Sequence, residues 1–98
     1  MKYTLTVRRV AELDITEAFN HYESVRLGLG HDFLLCLEEA LSKIERTPKQ
    51  YQFMHKELRR CLVHRFPYVV LYFIEDSCII VTAVLHARKN PSSWDERT

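Results

Sequence analysis

Apolar and polar residues alternate from Tyr3 to Arg8, placing Tyr3, Leu5 and Val7 on one side of the chain. A period of two marks a strand buried on one face. The period then changes: Ile15, Ala18, Phe19, Tyr22 and Val25 recur at the spacing of one helical face. Asp14 followed by Glu17 has the form of a capping box, so a helix of about three turns is predicted from Asp14. Gly28-Leu29-Gly30 breaks it, since glycine accepts the left-handed conformation at a helix end. His31 or Asp32 is predicted to open a second helix striped by Phe33, Leu34, Leu37, Ala40, Leu41 and Ile44. Pro48 pushes Thr47 out of the helical region and closes it.

Period two returns in the second half. Leu58 to Val63 reads as a short strand, and Arg65–Phe73 and Ile79–Arg88 as two longer hydrophobic runs of a hairpin, joined by a three- or four-residue polar turn at Glu75-Asp76-Ser77. Between Pro48 and Glu57 the pattern is mixed, with Tyr51, Phe53 and Met54 expected to plug the segment onto the core. The order strand, helix, helix, strand, strand, strand predicts an α+β fold. An αα-hairpin would pack on one face of a mainly antiparallel sheet. The opposite face is then expected to be open. Open faces and edges aggregate unless covered, so the isolated chain is expected to be poorly soluble or dimeric until a partner covers it.

The 98 residues are expected to form a single domain, 1–98, ending in a polar tail, 88–98, whose lone Trp94 docks back onto the fold. With 14 Lys+Arg against 13 Asp+Glu, the net charge of +1 makes no global case for nucleic-acid binding. Locally, Lys56, Arg59, Arg60 and Arg65 outnumber Glu57. Cys36, Cys61 and Cys78 are odd in number and widely spaced, and all lie in apolar runs; this predicts buried, reduced thiols rather than disulfides or a zinc site. No run approaches the ~20 apolar residues of a membrane span. A cytoplasmic location is expected.

Several chemistries are excluded by type and spacing. The five histidines have no i,i+4 pair and no ligand-spaced partner, there is no G-x-S-x-G, and two glycines cannot form a phosphate loop. No metal and no cofactor are expected. What remains is His86 with Arg60, Arg65 and Arg88 around the hairpin. Metal-free RNA cleavage needs a base, an acid and cations to stabilise the phosphate transition state, and these types supply them. The same residues serve equally as a strand-end histidine and arginines bonded to backbone.

The run Leu58-Arg59-Arg60, Val63, Arg65-Phe66-Pro67-Tyr68-Val69-Val70-Leu71-Tyr72, followed by Leu85-His86-Ala87-Arg88, resembles the RelE/ParE superfamily of small bacterial toxins. An Asp-led first helix containing Tyr22, Gly30 before Phe33, and Pro48 agree with it. The resemblance covers nearly the whole chain and lies closer to the ParE branch. It implies the toxin of a type II toxin–antitoxin module, neutralised by a cognate antitoxin in a hetero-oligomer, a homodimer being a further possible state. The ParE branch poisons DNA gyrase; the RelE branch cleaves messenger RNA on the ribosome. Where the RNA-cleaving branch is expected to carry a catalytic arginine, this chain has Val69. His86 falls where some RNA-cleaving members have a catalytic histidine. The resemblance therefore favours inhibition of gyrase by binding, with Arg88, Lys89, Trp94 and Arg97 as target contacts. The alternatives are a ribonuclease using His86 with Arg60 or Arg65, and a family member without toxicity.

Overall fold

The computed structural model describes residues 2–88. Its elements are β1 (Thr4–Val7), α1 (Arg9–Val25), α2 (Leu29–Arg46), a short 3-10 turn (Pro48–Gln50), β2 (Phe53–His55), β3 (Leu58–Leu62), β4 (Tyr68–Glu75) and β5 (Cys78–His86). The strands form one sheet in the order β1-β5-β4-β3-β2. β1 runs parallel to β5, and the other neighbours are antiparallel. The fold is α+β with the helical hairpin on one face, as the pattern predicts.

Several details differ from the pattern. α1 starts at Arg9, not Asp14. Ala11 is fully buried, so the inward stripe Ala11, Ile15, Ala18 and Tyr22 begins one turn earlier, while Val25 is 64% exposed. α2 starts at Leu29, because Gly28 at φ 90° turns the chain directly into it. A fifth strand, β2, replaces the expected plug. Tyr51 and Met54 do pack inward, but Phe53 projects from this edge strand at 60% exposure under the Arg59 guanidinium, 4.0 Å from its ring centre. Finally, Cys78 is exposed beside the hairpin turn and Cys36 half-buried; only Cys61 is buried.

The β4–β5 hairpin closes with a two-residue loop, Asp76-Ser77, shorter than the expected three or four residues because Glu75 pairs with Cys78. Asp76 takes the required left-handed conformation at φ 57°. Further along, Tyr72 pairs with Val81 and Leu71 with Ala83, so Thr82 is the extra residue of a bulge. The bulge changes the parity of β5, and Val81 and Val84 both face the helices. There they meet Phe33, Leu37, Ala40 and Ile44 of α2 and Ala11 and Ala18 of α1 in the main core. The outer face was expected to be open. Instead its centre is a second cluster, Leu58, Val69, Leu71, Ala83 and Leu85, at most 4% exposed. Trp94 and the rest of the tail beyond Arg88 lie outside the described residues.

Candidate functional site

β5 delivers His86 to the end of the sheet nearest α1. Its cross-strand partner is Tyr68, the first residue of β4. The two rings meet edge-on with centroids 5.5 Å apart. Tyr68 in turn belongs to an aromatic group with Tyr22 of α1, Phe33 of α2 and Phe66 of the β3–β4 loop. His86 is thus held on the helical side of the sheet. Its Nδ1 accepts a hydrogen bond from the Arg88 backbone N–H at 3.2 Å. In the neutral ring this leaves the proton on Nε2.

A cleft of about 110 Å3 opens here, lined by Asp14, Glu17, Tyr68, Val84, Leu85 and His86. Asp14 is fixed in it by a reason the sequence conceals. β1 pairs with β5 only from Cys78 to Val81, so beyond Val81 that edge of β5 has no strand beside it. The Val84 N–H finds its acceptor in Asp14 Oδ2 at 3.0 Å instead. The residue that looks like a helix cap therefore closes a sheet edge from the middle of α1. Burial pushes the Tyr68 hydroxyl pKa up, and the nearby Tyr22, Glu17 and Asp14 push it further. The two carboxylates make the floor of this cleft electronegative, a poor setting for a phosphate.

Of the arginines grouped with His86 on residue type, Arg88 adjoins it through its backbone N–H, and Arg60 lies on the other face. Arg60 pairs with Leu71 of the outer cluster and so lies on the opposite face of the sheet from His86. Arg65 sits in the β3–β4 loop at φ 75°, its guanidinium 5.7 Å from the Phe66 ring centre. Arg88 is exposed just past the end of β5. Lys89, Trp94 and Arg97 lie outside the described residues. Arg59 donates to the carbonyls of Lys49 and Tyr51 at 3.1 and 2.7 Å, and so fastens β3 to the preceding turn. Val69 is 1% exposed within the outer cluster. Asp14 and Glu17 were missed as site residues because nothing in the local sequence distinguishes an edge-closing carboxylate from a cap.

Among the described residues no three His, Cys, Asp or Glu side chains are grouped to hold a metal ion, and no helix is long and apolar enough to cross a membrane. The geometry is that of a small scaffold with one acidic cleft, an apolar outer face and basic residues around its edges.

Three solved structures share this fold. A solved chain from the chromosomal ParDE toxin–antitoxin system of P. aeruginosa superimposes with a TM-score of 0.78 at 13% identity, covering 87% of this chain and 96% of that one. E. coli toxin RelE in the free state superimposes with a TM-score of 0.61 at 14% identity, covering 99% and 95%. The RelBE2 toxin–antitoxin complex of Mycobacterium tuberculosis gives 0.59 at 17% identity, over 88% and 99%. By sequence, Toxin ParE2 of M. tuberculosis is 27% identical over 94 residues, 95% of this chain and 90% of its own length. Residues 5–91 match the family model described as the ParE toxin of the type II toxin–antitoxin system parDE. With that match spanning most of both the helical hairpin and the sheet, the chain belongs to the ParE toxin family of type II toxin–antitoxin systems.

Proposed function

We propose that this toxin acts by binding, not by RNA cleavage, and that its target is DNA gyrase in the cytoplasm. The observation that carries the reading is that His86 and Arg60 lie on opposite faces of the sheet. His86 faces Tyr68, Asp14 and Glu17 on the helical side, while Arg60 lies across the sheet and Arg65 in a loop. A base and a phosphate-stabilising cation must converge on one reacting centre, within roughly hydrogen-bonding distance of it. The cleft that His86 lines also carries the carboxylates of Asp14 and Glu17. The buried Val69 adds no charge to the outer face. Binding remains, through the exposed Arg88 and the segment 89–97 that follows it. A cognate antitoxin neutralises the toxin by complex formation, in line with the ParDE and RelBE2 assemblies to which the fold is similar.

Inducing the full chain without antitoxin tests this. Expected are filamentous cells with a DNA-damage response, inhibition of gyrase supercoiling by the purified chain, and retained toxicity in His86→Ala. Truncation after Lys89 is expected to abolish toxicity. Immediate arrest of translation with cut transcripts, lost in His86→Ala, would establish the ribonuclease instead.

A further inference from the structure

The loop that joins β3 to β4, residues 63–67, is short and locked in place. The Val63 N–H donates to the Tyr68 carbonyl at 2.9 Å, the Tyr68 N–H to the Phe66 carbonyl at 2.8 Å, and the Ala87 N–H to the Pro67 carbonyl at 2.7 Å. Val63 and Phe66 are buried in the main core and anchor the loop from both sides. Between them His64 and Arg65 form its tip, and both are exposed. The Phe66 N–H reaches back to the Val63 carbonyl at 3.4 Å, which makes Arg65 the third residue of a β-turn. Its φ of 75° is the left-handed value that a type II turn requires at that place. Glycine or asparagine adopts it readily, whereas the Cβ of an arginine crowds the backbone.

The charge of Arg65 has no counterpart. Among the described residues the ion pairs are Arg26–Asp32, His31–Glu23 and Lys43–Glu39, all within the helical hairpin. Beyond that hairpin the described carboxylates are Glu57, Glu75 and Asp76, in the turns at the far end of β3 and β4. At the near end the Ala87–Pro67 hydrogen bond brings the exposed Arg88 beside the loop instead. Strained residues held by rigid surroundings concentrate where a protein acts, and a loop already ordered loses little freedom on binding. A guanidinium matches a carboxylate through two parallel hydrogen bonds. A nucleic-acid backbone fits this end of the sheet less well, because Asp14 and Glu17 line the cleft beside Tyr68.

On the reading that this toxin acts by binding a protein, we propose that Arg65 is a target-contact residue. The β3–β4 loop presents it, together with Arg88, to a carboxylate on the surface of the target. The contact is separate from any made by the segment that follows Arg88.

The full chain carrying Arg65→Gln, Arg65→Lys or Arg65→Gly tests this, through inhibition of gyrase supercoiling and of growth in cells without antitoxin. Arg65→Gln and Arg65→Gly should need roughly tenfold or more protein for half-inhibition, the loss expected of one strong interface contact. Arg65→Lys should fall between them and the native chain, since it keeps the charge but not the paired donors. All three should retain the native circular dichroism spectrum, and the urea midpoint of Arg65→Gly should be no lower than that of the native chain. Full inhibition by a folded Arg65→Gln would overturn this contact alone. Absence of any inhibition by the native chain would overturn the binding reading and the contact with it. Retardation of duplex DNA by the native chain alone, lost in Arg65→Gln, would assign the loop to phosphates and overturn the carboxylate. A lowered midpoint in Arg65→Gly would overturn the strained presentation.

Discussion

Two single residues show how much a local motif conceals. Asp14 and Glu17 read as a capping box, yet α1 is already more than a turn long at Asp14. The misleading feature is chemical: a carboxylate that accepts a backbone N–H looks the same in sequence whether the donor is its own helix or Val84, seventy residues away. The fully buried Ala11, four residues before Ile15, continues the inward stripe one turn further back. Replacing Asp14 by Ala leaves the Val84 N–H without this acceptor, a loss of about 1–3 kcal/mol. Asp14→Asn keeps an acceptor and should cost much less, so urea midpoints of the two variants should separate clearly. Gly30 offers a different lesson. A Cβ there would come within 2.7 Å of the Phe19 carbonyl oxygen and 2.8 Å of its ring. The glycine read as a helix breaker is in fact where α2 passes α1. Gly30→Ala is expected to destabilise by about 1–3 kcal/mol through overcrowding. Unchanged thermal stability in that variant would refute the close approach.

At the scale of elements, the long periodic segments were legible and the short or distant pairings were not. The stripe Phe33, Leu37, Ala40 and Ile44 is the buried face of α2 as the spacing predicts, because a helical period repeats over enough residues to stand out. β2 has three residues and no alternation to display. The Thr82 bulge and the parallel β1–β5 pairing are set by distant strands, for which one sequence carries no marker. The joint between the helices combines both kinds of information. Gly28 supplies the left-handed turn, and Glu23 accepts the N–H groups of Gly28 and Gly30 at 3.0 and 2.9 Å, occupying donors at the start of α2. The Gly28 hydrogen bond is the largest cause lowering the Glu23 pKa, with Gly30 and His31 acting in the same direction. A carboxylate whose folded pKa lies below its unfolded value near ~4.3 stabilises the fold above that pH. The contribution disappears as pH falls through the folded pKa. Unfolding midpoints measured from pH 6 downward should therefore drop for the native chain and drop less for Glu23→Gln, which begins lower. Parallel curves would remove Glu23 from the acid response.

Across the whole molecule, phenols and a thiol inside the core give the fold a second, alkaline limit. Tyr72 is fully buried between the sheet and the turn after α2, and its hydroxyl donates to the Pro48 carbonyl at 2.6 Å. Burial raises its pKa strongly, outweighing the opposing Arg59 charge. Tyr22, Tyr51 and Tyr68 are raised as well, chiefly by burial, and the Cys61 thiol likewise. Each of these groups holds its proton more tightly in the folded chain than in the unfolded one. The unfolded chain loses protons first, at about pH 8.5 for the thiol and about pH 10 for the phenols, so stability falls as pH rises through and beyond those values. The stabilisation of the protonated fold is complete below that window. Denaturant titrations from pH 7 to 11 should show a decline that begins near the thiol range and steepens near the phenol range. Tyr72→Phe retains the ring but leaves the Pro48 carbonyl unpaired, costing about 1–2 kcal/mol at pH 7. Its stability should also fall less steeply above pH 10 than that of the native chain. Loss of the same stability at pH 7 with an undiminished alkaline slope would place the alkaline limit on the other tyrosines. A slope flattened only in Cys61→Ala would place it on the thiol.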